Sequence, residues 1–305
     1  MEYKELENRY PNLIIKENEA LSKYTYTETG GPADILFFPQ TVKEVKAVID
    51  WTLENNYPLT ILGNASNLIV RDGGIPGVTV ILTELNQMEV EGNTITVESG
   101  AAIIELSELA YEHDLTGLEF ACGIPGSVGG AVYMNAGAYG GEVKDVIETV
   151  TVLTRSGEIK TMNNKEMHFS YRNSILQESQ DIVLSITVRL EKGPAEKIKE
   201  KMDELTYLRT SKQPLEYPSC GSVFKRPEGH YTGKLIQDAG LQGLIWGGAQ
   251  VSTKHAGFIV NIGEATATDY VELIKHIQEV IFKQYGVKLE REVHIIGEVT
   301  SEEVI

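Results

Sequence analysis

Three polar residues in short motifs carry side chains that could do chemistry. Arg172 lies in SYRNS, and its planar guanidinium suits a substrate carboxylate. Ser222 lies in the turn PSCGSVFKRP, and Glu292 lies between apolar residues in LEREVHII, where partial burial would perturb its pKa. Each also has an ordinary interpretation, as a surface arginine, a turn serine and an exposed strand carboxylate. No G-x-S-x-G motif surrounds Ser222, which disfavours a Ser-His-Asp hydrolase.

A glycine-rich segment spans residues 118–142, LEFACGIPGSVGGAVYMNAGAYGGE. Its apolar side chains distinguish it from a flexible linker and indicate a packed loop. Glycine lacks the Cβ that keeps a ligand away from backbone N–H groups, and Gly126, Gly129 and Gly130 are spaced for a loop around phosphate oxygens. The segment matches neither a Rossmann fingerprint nor a P-loop. A nucleotide cradle and a tight packing turn are both open interpretations.

A second glycine-bearing turn, GNASN at residues 63–67, follows the apolar run 59–62. A turn of small polar residues after a strand presents several N–H donors, which suits a diphosphate. A tight hairpin is the alternative interpretation.

Composition narrows the classes of partner. The 305 residues carry a formal net charge of −17, which argues against nucleic acid or an anionic membrane as general partners. Residues 207–261 nevertheless carry more basic than acidic side chains, as a site for an anionic small ligand requires. The two cysteines, Cys122 and Cys220, have no spacing typical of metal ligands, and we expect neither a metal site nor a disulfide framework. The acidic N-terminal residues and the lack of a long apolar run predict a cytoplasmic protein.

Periodicity and turn signals predict the elements that must position these residues. Strands are expected at 23–27, 35–38, 59–62, 78–82, 94–98, 146–153, 158–162 and 182–190. Helices are expected at 41–56, after a capping box of Thr41 and Glu44, and at 102–113, with His113 as a helix-end residue. After a boundary at Gly193, we expect helices at 195–211 and 267–285 and a last alternating strand at 289–296, with Glu292 and His294 on one face.

The order of these motifs, together with AGLQG and KHAGFIVN, resembles the family of UDP-N-acetylenolpyruvoylglucosamine reductases, MurB, which act in peptidoglycan precursor synthesis. The resemblance spans nearly the whole chain. The two glycine-bearing turns are shared with the wider family of flavoenzymes that resemble vanillyl-alcohol oxidase (PCMH type). The resemblance implies an α+β fold with a two-subdomain FAD-binding domain at 1–193 and a substrate-binding domain at 194–305.

The resemblance also implies two half-reactions. NADPH reduces FAD, and the reduced flavin then reduces the enolpyruvyl ether of UDP-N-acetylglucosamine to the lactyl ether of UDP-N-acetylmuramate. Hydride addition to the enol carbon leaves negative charge that must be stabilised where it develops. Arg172 would pair with the carboxylate, a protonated Glu292 would donate a hydrogen bond, and Ser222 would give the proton. Tyr171 and Lys225 would bind substrate or orient Ser222.

The same resemblance assigns FAD to the two turns. The implied contacts are Gly63, Asn64, Ala65, Ser66, Asn67, Pro125, Gly126, Ser127, Gly129, Gly130, Asn135 and Gly137. Between Tyr171 and Ile182 the chain has only a short polar turn, so it resembles the second, shorter type of the family. No histidine or cysteine near 29–33 matches a covalent attachment site, so FAD should be non-covalent.

The sequence therefore predicts an NADPH-dependent flavin reductase that binds UDP-N-acetylglucosamine enolpyruvate and acts as a monomer. One alternative is an oxidase on the same scaffold, which would pass electrons to oxygen. The other is a nucleotide-sugar binding protein without catalytic activity.

Overall fold

The computed structural model of the chain describes residues 3–300. The helices are α1 Lys4–Arg9, α2 Val42–Glu54, α3 Ile103–Glu112, α4 Val128–Tyr133, α5 Leu176–Ser179, α6 Ala195–Lys212, α7 Thr232–Asp238 and α8 Ala267–Tyr285. The strands are β1 Ile14–Ala20, β2 Pro32–Phe38, β3 Leu59–Leu62, β4 Leu68–Val70, β5 Ile75–Ile81, β6 Met88–Glu91, β7 Thr94–Glu98, β8 Leu115–Thr116, β9 Gly137–Ala138, β10 Gly141–Glu142, β11 Ile147–Leu153, β12 Ile159–Asn163, β13 Ile182–Arg189, β14 Glu191–Lys192, β15 Ser219–Ser222, β16 Ile245–Trp246, β17 Ala249–Val251, β18 Phe258–Asn261 and β19 His294–Ile296.

The chain forms two compact units. The first contains the chain up to Lys16, Ile35–Asn64 and Gly77–Arg209, and the second contains Glu17–Asp34, Ala65–Pro76 and the chain from Thr210. The sequence predicts a boundary at 193/194, but α6 as far as Arg209 belongs to the first unit. Cys122 Sγ lies 3.6 Å from the carbonyl oxygen of Met202 and from Oγ1 of Thr206, so the helix packs on that unit. The assignment of FAD and substrate to residues 1–193 and 194–305 stays a prediction.

The first unit has two hydrophobic cores, as expected for two α+β subdomains. One lies between α3, α4 and a five-stranded antiparallel sheet of order β12-β11-β13-β7-β6. The other lies beside β3 and β5, which pair in parallel, and contains Val45, Val48 and Ile49 of α2. Thr41 caps α2 by accepting from the N–H of Glu44, which confirms one half of the predicted capping box. The Glu44 carboxylate accepts from the N–H of Gln40 and not from that of the cap residue, so the other half is not formed as predicted.

The second unit has its own core. Strands pair in the order β15-β18-β17-β16, and α7 and α8 bury apolar side chains in the same cluster as these strands. Strand β19 pairs in parallel with β4, with His294 opposite Leu68. Helix α8 begins after a capping box of Thr266 and Asp269 and ends at Gly286, whose φ of 69° is readily adopted by glycine.

The structure corrects two predicted strands. Lys23 ends a short 3-10 helix and residues 24–27 form turns. The N–H groups of Tyr24 and Thr25 both donate to the carbonyl oxygen of Leu21, and the hydroxyl of Thr25 donates to that of Thr29. The last strand is shortened to β19, with an isolated bridge between Arg291 and Phe224 and a bend at Glu292. The predicted alternation over 289–296 is therefore wrong.

No helix among residues 3–300 combines the length and the apolar character needed to cross a bilayer.

Candidate active site

The two glycine-bearing turns contact each other within the first unit. A Cβ added to Gly63, which follows β3, would overlap Oγ of Ser127. Ser127 is buried and caps α4, and its Oγ accepts from the N–H of Gly130 at 3.3 Å. Glycine at position 63 lets the first turn approach the second this closely without displacing the Ser127 side chain. The structure therefore brings together the predicted residues Gly63, Ser127 and Gly130.

The backbone N–H groups at the start of α4 are already used within the protein. Val128 donates to Ala101 at 2.8 Å, Gly129 donates to Ser99 at 2.7 Å, and Ala131 donates to Ser127 at 2.9 Å. A Cβ on Gly129 would lie 2.9 Å from Cβ of Ser99. For Gly129, the packing interpretation accordingly explains the glycine better than donation of its N–H to a phosphate.

Gly130 differs from Gly129 in what surrounds it. It is exposed, and a Cβ there would meet only Oγ of Ser127, at 3.4 Å. Pro125 and Gly126 are half-buried, and Gly126 has a φ of 128°, which favours glycine. Gly130 is therefore one exposed position of the second turn, with Pro125 and Gly126 close to the surface.

The turn 63–67 is divided between the units at Asn64 and Ala65. Ala65 is buried with a positive φ of 46°, and its carbonyl oxygen accepts from the N–H of Tyr26 at 3.3 Å. A non-glycine residue in this conformation is uncommon and is concentrated in constrained sites. Asn64, Ser66 and Asn67 are half-buried.

Asn135 organises the glycine-rich segment from inside. Its side chain has no exposed surface. Oδ1 accepts from the N–H of Lys144 at 3.0 Å, and Nδ2 donates to the carbonyl oxygen of Ser170 at 2.9 Å and to Glu142 at 3.2 Å. This burial indicates that Asn135 shapes the loop and leaves no side-chain surface for a ligand.

Arg172 lies against the same segment. It has a positive φ of 55°, its Nη2 donates to the carbonyl oxygen of Gly137 at 3.1 Å, and its guanidinium lies 5.2 Å from the ring centroid of Tyr171. Lys144, Asn135 and the charge of Arg172 lower the pKa of Glu142 against the opposing effect of burial. Arg172, Tyr171 and Gly137 are thus brought together in the first unit.

Arg209 is a site candidate that the sequence indicates only as one of the basic residues of 207–261. A Cβ on Gly123, at the start of the glycine-rich segment, would lie 2.8 Å from Cδ of Arg209. Burial lowers the pKa of Arg209, although Tyr139 and Cys122 oppose this. Arginine titrates far above neutral pH, so the group stays a cation. A desolvated positive charge consequently lies beside the second turn.

In the second unit, Ser222 and Glu292 are linked through one carbonyl oxygen. Ser222 is the exposed last residue of β15, and the carbonyl oxygen of Val223 accepts from the N–H groups of Glu292 at 2.8 Å and Val293 at 3.3 Å. Two consecutive donors on one acceptor break the two-residue repeat of a strand, which explains the bend at Glu292. The predicted proton donor and acid are thereby neighbours in the fold.

Lys225 is placed by the same pairing. Its N–H donates to the carbonyl oxygen of Glu290 at 2.9 Å, and its Nζ lies 2.5 Å from the Glu290 carboxylate. Glu290 is largely exposed, so the ion pair is easily exchanged for another anion. Cys220 is not a nucleophile at neutral pH, because burial raises the pKa of its thiol to about 12.

One contact and one pKa shift in the second unit were not expected. Nδ2 of Asn67 donates to the carbonyl oxygen of Glu292 at 3.3 Å, which links a predicted cofactor residue to a predicted catalytic one. Burial and the charges of Lys225 and Arg291 lower the pKa of His294. The one sequence signal for His294 was its predicted position on the same strand face as Glu292.

The predicted residues are divided between the two units. The first unit holds Gly63, Asn64, Pro125, Gly126, Ser127, Gly129, Gly130, Asn135, Gly137, Tyr171 and Arg172. The second holds Ala65, Ser66, Asn67, Ser222, Lys225 and Glu292. Within residues 3–300, no cluster of histidine, cysteine and acidic side chains has the arrangement of a metal site.

Two family models match the chain. Residues 33–163 match a model described as FAD binding domain. Residues 213–296 match a model described as UDP-N-acetylenolpyruvoylglucosamine reductase, C-terminal domain. The first range contains both glycine-bearing turns, and the second contains Ser222, Lys225 and Glu292.

Curated proteins named UDP-N-acetylenolpyruvoylglucosamine reductase are similar over almost the full length. The protein of Pediococcus pentosaceus is 61% identical over 289 residues, covering 95% of this chain and 96% of the relative. The protein of Enterococcus faecalis is 60% identical over 286 residues, covering 94% and 95%. Among solved structures, the reductase (MurB) from Thermus caldophilus superposes with a TM-score of 0.82 at 35% identity, covering 93% of this chain and 99% of that one.

Proposed function

The chain belongs to the UDP-N-acetylenolpyruvoylglucosamine reductase (MurB) family, and on that premise we propose that it uses NADPH to reduce UDP-N-acetylglucosamine enolpyruvate to UDP-N-acetylmuramate through Arg172, Ser222 and Glu292. It is an FAD-dependent oxidoreductase of peptidoglycan synthesis with the α+β fold expected for that family. The electron donor, the residue roles, the cytoplasmic location, the monomeric state and the non-covalent attachment of FAD belong to the proposal.

The residues of the two turns fit FAD. Glycine at position 63 allows the two turns to contact each other. Gly130 has no side chain, so its exposed backbone is accessible to a ligand. Gly63, Asn64, Ala65, Ser66 and Asn67 of the first turn and Pro125, Gly126, Ser127 and Gly130 of the second would hold its diphosphate, with Arg209 as a nearby cation. FAD, when bound, takes a hydride from NADPH and supplies it to the enol carbon of the substrate.

The link between Ser222 and Glu292 carries the proposal for the reaction. Hydride addition leaves charge on the adjacent carbon and the carboxylate of the substrate, and that charge needs donors positioned in advance. The proposal is supported by the N–H of Glu292, which donates to the carbonyl oxygen of Val223, the residue after Ser222. Ser222 would give its hydroxyl proton to the carbon, and a protonated Glu292 would donate to the developing enediolate.

Arg172 would pair with the substrate carboxylate. Its Nη2 donates to the carbonyl oxygen of Gly137, which orients the planar fork of the guanidinium. Lys225 would exchange the exposed carboxylate of Glu290 for an anionic group of the substrate. Tyr171 supports the guanidinium through its ring.

Anaerobic stopped-flow absorbance of the FAD-loaded protein tests this function. NADPH should bleach the flavin band, and UDP-N-acetylglucosamine enolpyruvate should restore it without oxygen. Recovery only in air would favour an oxidase. Tight binding of the enolpyruvate without any change in the flavin band would favour a nucleotide-sugar binding protein. A protein that takes up no FAD would overturn the assignment of the two turns.

A further inference from the structure

Both backbone hydrogen-bonding groups of Glu292 are engaged by residues of the candidate site. Its N–H donates to the carbonyl oxygen of Val223 at 2.8 Å, and its own carbonyl oxygen accepts from Nδ2 of Asn67 at 3.3 Å. Val223 follows Ser222 in the chain, and Asn67 ends the turn GNASN. Glu292 is therefore held between the proposed proton donor and a turn that the sequence assigns to the cofactor.

The contact from Asn67 acts where the chain bends. The carbonyl oxygen of Asn67 accepts from the N–H of His294 at 3.2 Å, and the parallel pairing of β19 with β4 begins at His294 and Leu68. The side chain of Asn67 reaches further back, to Glu292. This hydrogen bond extends the contact between the two chain segments to Glu292, two residues before β19 begins.

We infer that Asn67 is a positioning residue, whose side chain sets the placement of the Glu292 carboxyl. The inference rests on the proposed function, in which Glu292 stabilises charge on the substrate. The direction of a side chain follows from its own backbone, so a shift of the Glu292 peptide moves its carboxyl. A misplacement of about 1 Å can reduce an enzymatic rate by about 10²-fold.

This role differs from a direct contact between the Asn67 side chain and FAD. A positioning residue acts on the half-reaction that uses Glu292, which is the reduction of the enolpyruvyl group. A cofactor contact acts on FAD affinity and on both half-reactions. The backbone of the turn can bind FAD in either case. The two roles therefore differ only in what the Asn67 side chain contacts.

The experiment compares Asn67→Ala with Asn86→Ala in the FAD-loaded enzyme. Asn86 is a matched control, because its Nδ2 also donates to a backbone carbonyl, that of Thr83, at 3.3 Å. Asn67→Ala should slow flavin reoxidation by UDP-N-acetylglucosamine enolpyruvate by about 10- to 100-fold. The FAD dissociation constant, measured by flavin fluorescence, and the rate of bleaching by NADPH should change much less than the rate of reoxidation.

A Glu292→Gln background tests whether Asn67 acts through Glu292. If it does, adding Asn67→Ala to Glu292→Gln should cost at most about a further 3-fold in reoxidation rate, because the effects of coupled residues do not add. A full multiplication of the two losses would overturn the inference, as would a rise in the FAD dissociation constant as the main effect. Equal behaviour of Asn67→Ala and Asn86→Ala would also overturn it.

Hydrogen exchange gives a readout that does not depend on turnover. Backbone amides of residues 289–296 should exchange faster in Asn67→Ala than in the wild type or Asn86→Ala, and unchanged exchange would contradict the inference. If Asn67→Ala does not fold, Asn67→Asp keeps the shape and removes the N–H donor, and the same loss of reoxidation is expected. Failure of the wild type and Asn86→Ala to be reoxidised by the enolpyruvate would instead reject the proposed function.

Discussion

Nη2 of Arg172 donates to the carbonyl oxygen of Gly137 at 3.1 Å, which joins the motif SYRNS to the glycine-rich segment. Gly137 is also packed closely against the chain at Gly141, since a Cβ on Gly137 would lie 2.6 Å from the carbonyl oxygen of Gly141. Arg172 itself has a positive φ of 55°, an uncommon conformation for a non-glycine residue. The position of the guanidinium is therefore set by the loop that it contacts.

Arg172→Lys should impair the second half-reaction. A lysine ammonium is a point charge without the planar fork, so it cannot orient itself on Gly137 and pair with a carboxylate in the same geometry. We expect kcat/KM for the enolpyruvate to fall by about 10²- to 10³-fold, as for loss of one preorganised donor to developing charge. Stopped-flow measurement should show unchanged bleaching of the flavin by NADPH. An equal loss in both half-reactions would contradict the role in substrate binding.

Ser222→Ala should stop proton delivery without affecting hydride uptake. We expect flavin reoxidation by the enolpyruvate to slow by about 10²- to 10⁴-fold, the usual range for general acid catalysis, while bleaching by NADPH continues. Ser219→Ala is the matched control, because Ser219 lies in the same strand and pairs through its backbone with Val260. If Ser222→Ala and Ser219→Ala turn over at the same rate, Ser222 is not the proton donor.

Gly63→Ala should separate the two glycine-bearing turns. The added Cβ would overlap Oγ of Ser127, and overpacking of this kind costs about 1–3 kcal/mol of unfolding free energy. We expect a lower urea midpoint and weaker FAD binding by fluorescence titration. The double variant Gly63→Ala/Ser127→Ala removes the overlapping hydroxyl and should recover part of both losses. No recovery would mean that the contact between the turns is not the cause.

The sequence predicted best those elements whose ends are set by residues within or next to the element. Helix α8 lies where Thr266, Asp269 and Gly286 place its cap and its stop. The turns at 24–27 were missed because the threonine hydroxyls compete with strand pairing, and alternation does not reveal that competition. The two compact units were missed in part because 17–34 and 65–76 join residues far away in the sequence.

The candidate site shows the same limit. The motifs identified Ser222 and Glu292, but the bend that joins them depends on the carbonyl oxygen of Val223, which no local pattern specifies. The packing of Gly123 on Arg209 and the bond from Asn67 to Glu292 are likewise tertiary contacts. Residue type indicated the chemistry, while the arrangement came from distant parts of the chain.

Substitutions at Asn135 should separate its hydrogen bonds from its backbone conformation. Asn135→Ala removes the acceptor for the N–H of Lys144 and places a Cβ without a polar group at a φ of 43°. Asn135→Gly loses the same hydrogen bonds but tolerates that φ, so it should be less destabilised than Asn135→Ala by about 1 kcal/mol. At Asn93, which bonds Leu190 and has no positive φ, Ala should be the better replacement. Urea unfolding of the four variants measures which of Ala and Gly is the more stable replacement at each position. If the same residue is the better replacement at both positions, the positive φ of Asn135 is not the cause.

Acidification from about pH 7.5 to 5.5 should lower the free energy of unfolding in part through His255. Burial lowers the pKa of His255, and its Nδ1 accepts from the N–H of Gly257 at 3.1 Å, which requires the unprotonated nitrogen. Below its ordinary pKa of about 6.5 the unfolded chain binds a proton that the folded chain resists, so stability is present above that pH and falls below it. His294 acts in the same direction, while the lowered pKa of Glu142 acts only below its ordinary value of 4.5.

Variants separate the contribution of His255 from that of other groups. His255→Asn keeps an acceptor near the N–H of Gly257 but does not titrate, so its unfolding free energy should fall less with acidification, by at most about 1.4 kcal/mol per pH unit relative to the wild type. The same replacement at the exposed His230 is the control for the effect of a histidine-to-asparagine change itself. Urea midpoints at several pH values measure the slopes. If His255→Asn and the wild type lose stability equally, the half-buried imidazole does not couple folding to pH in this range.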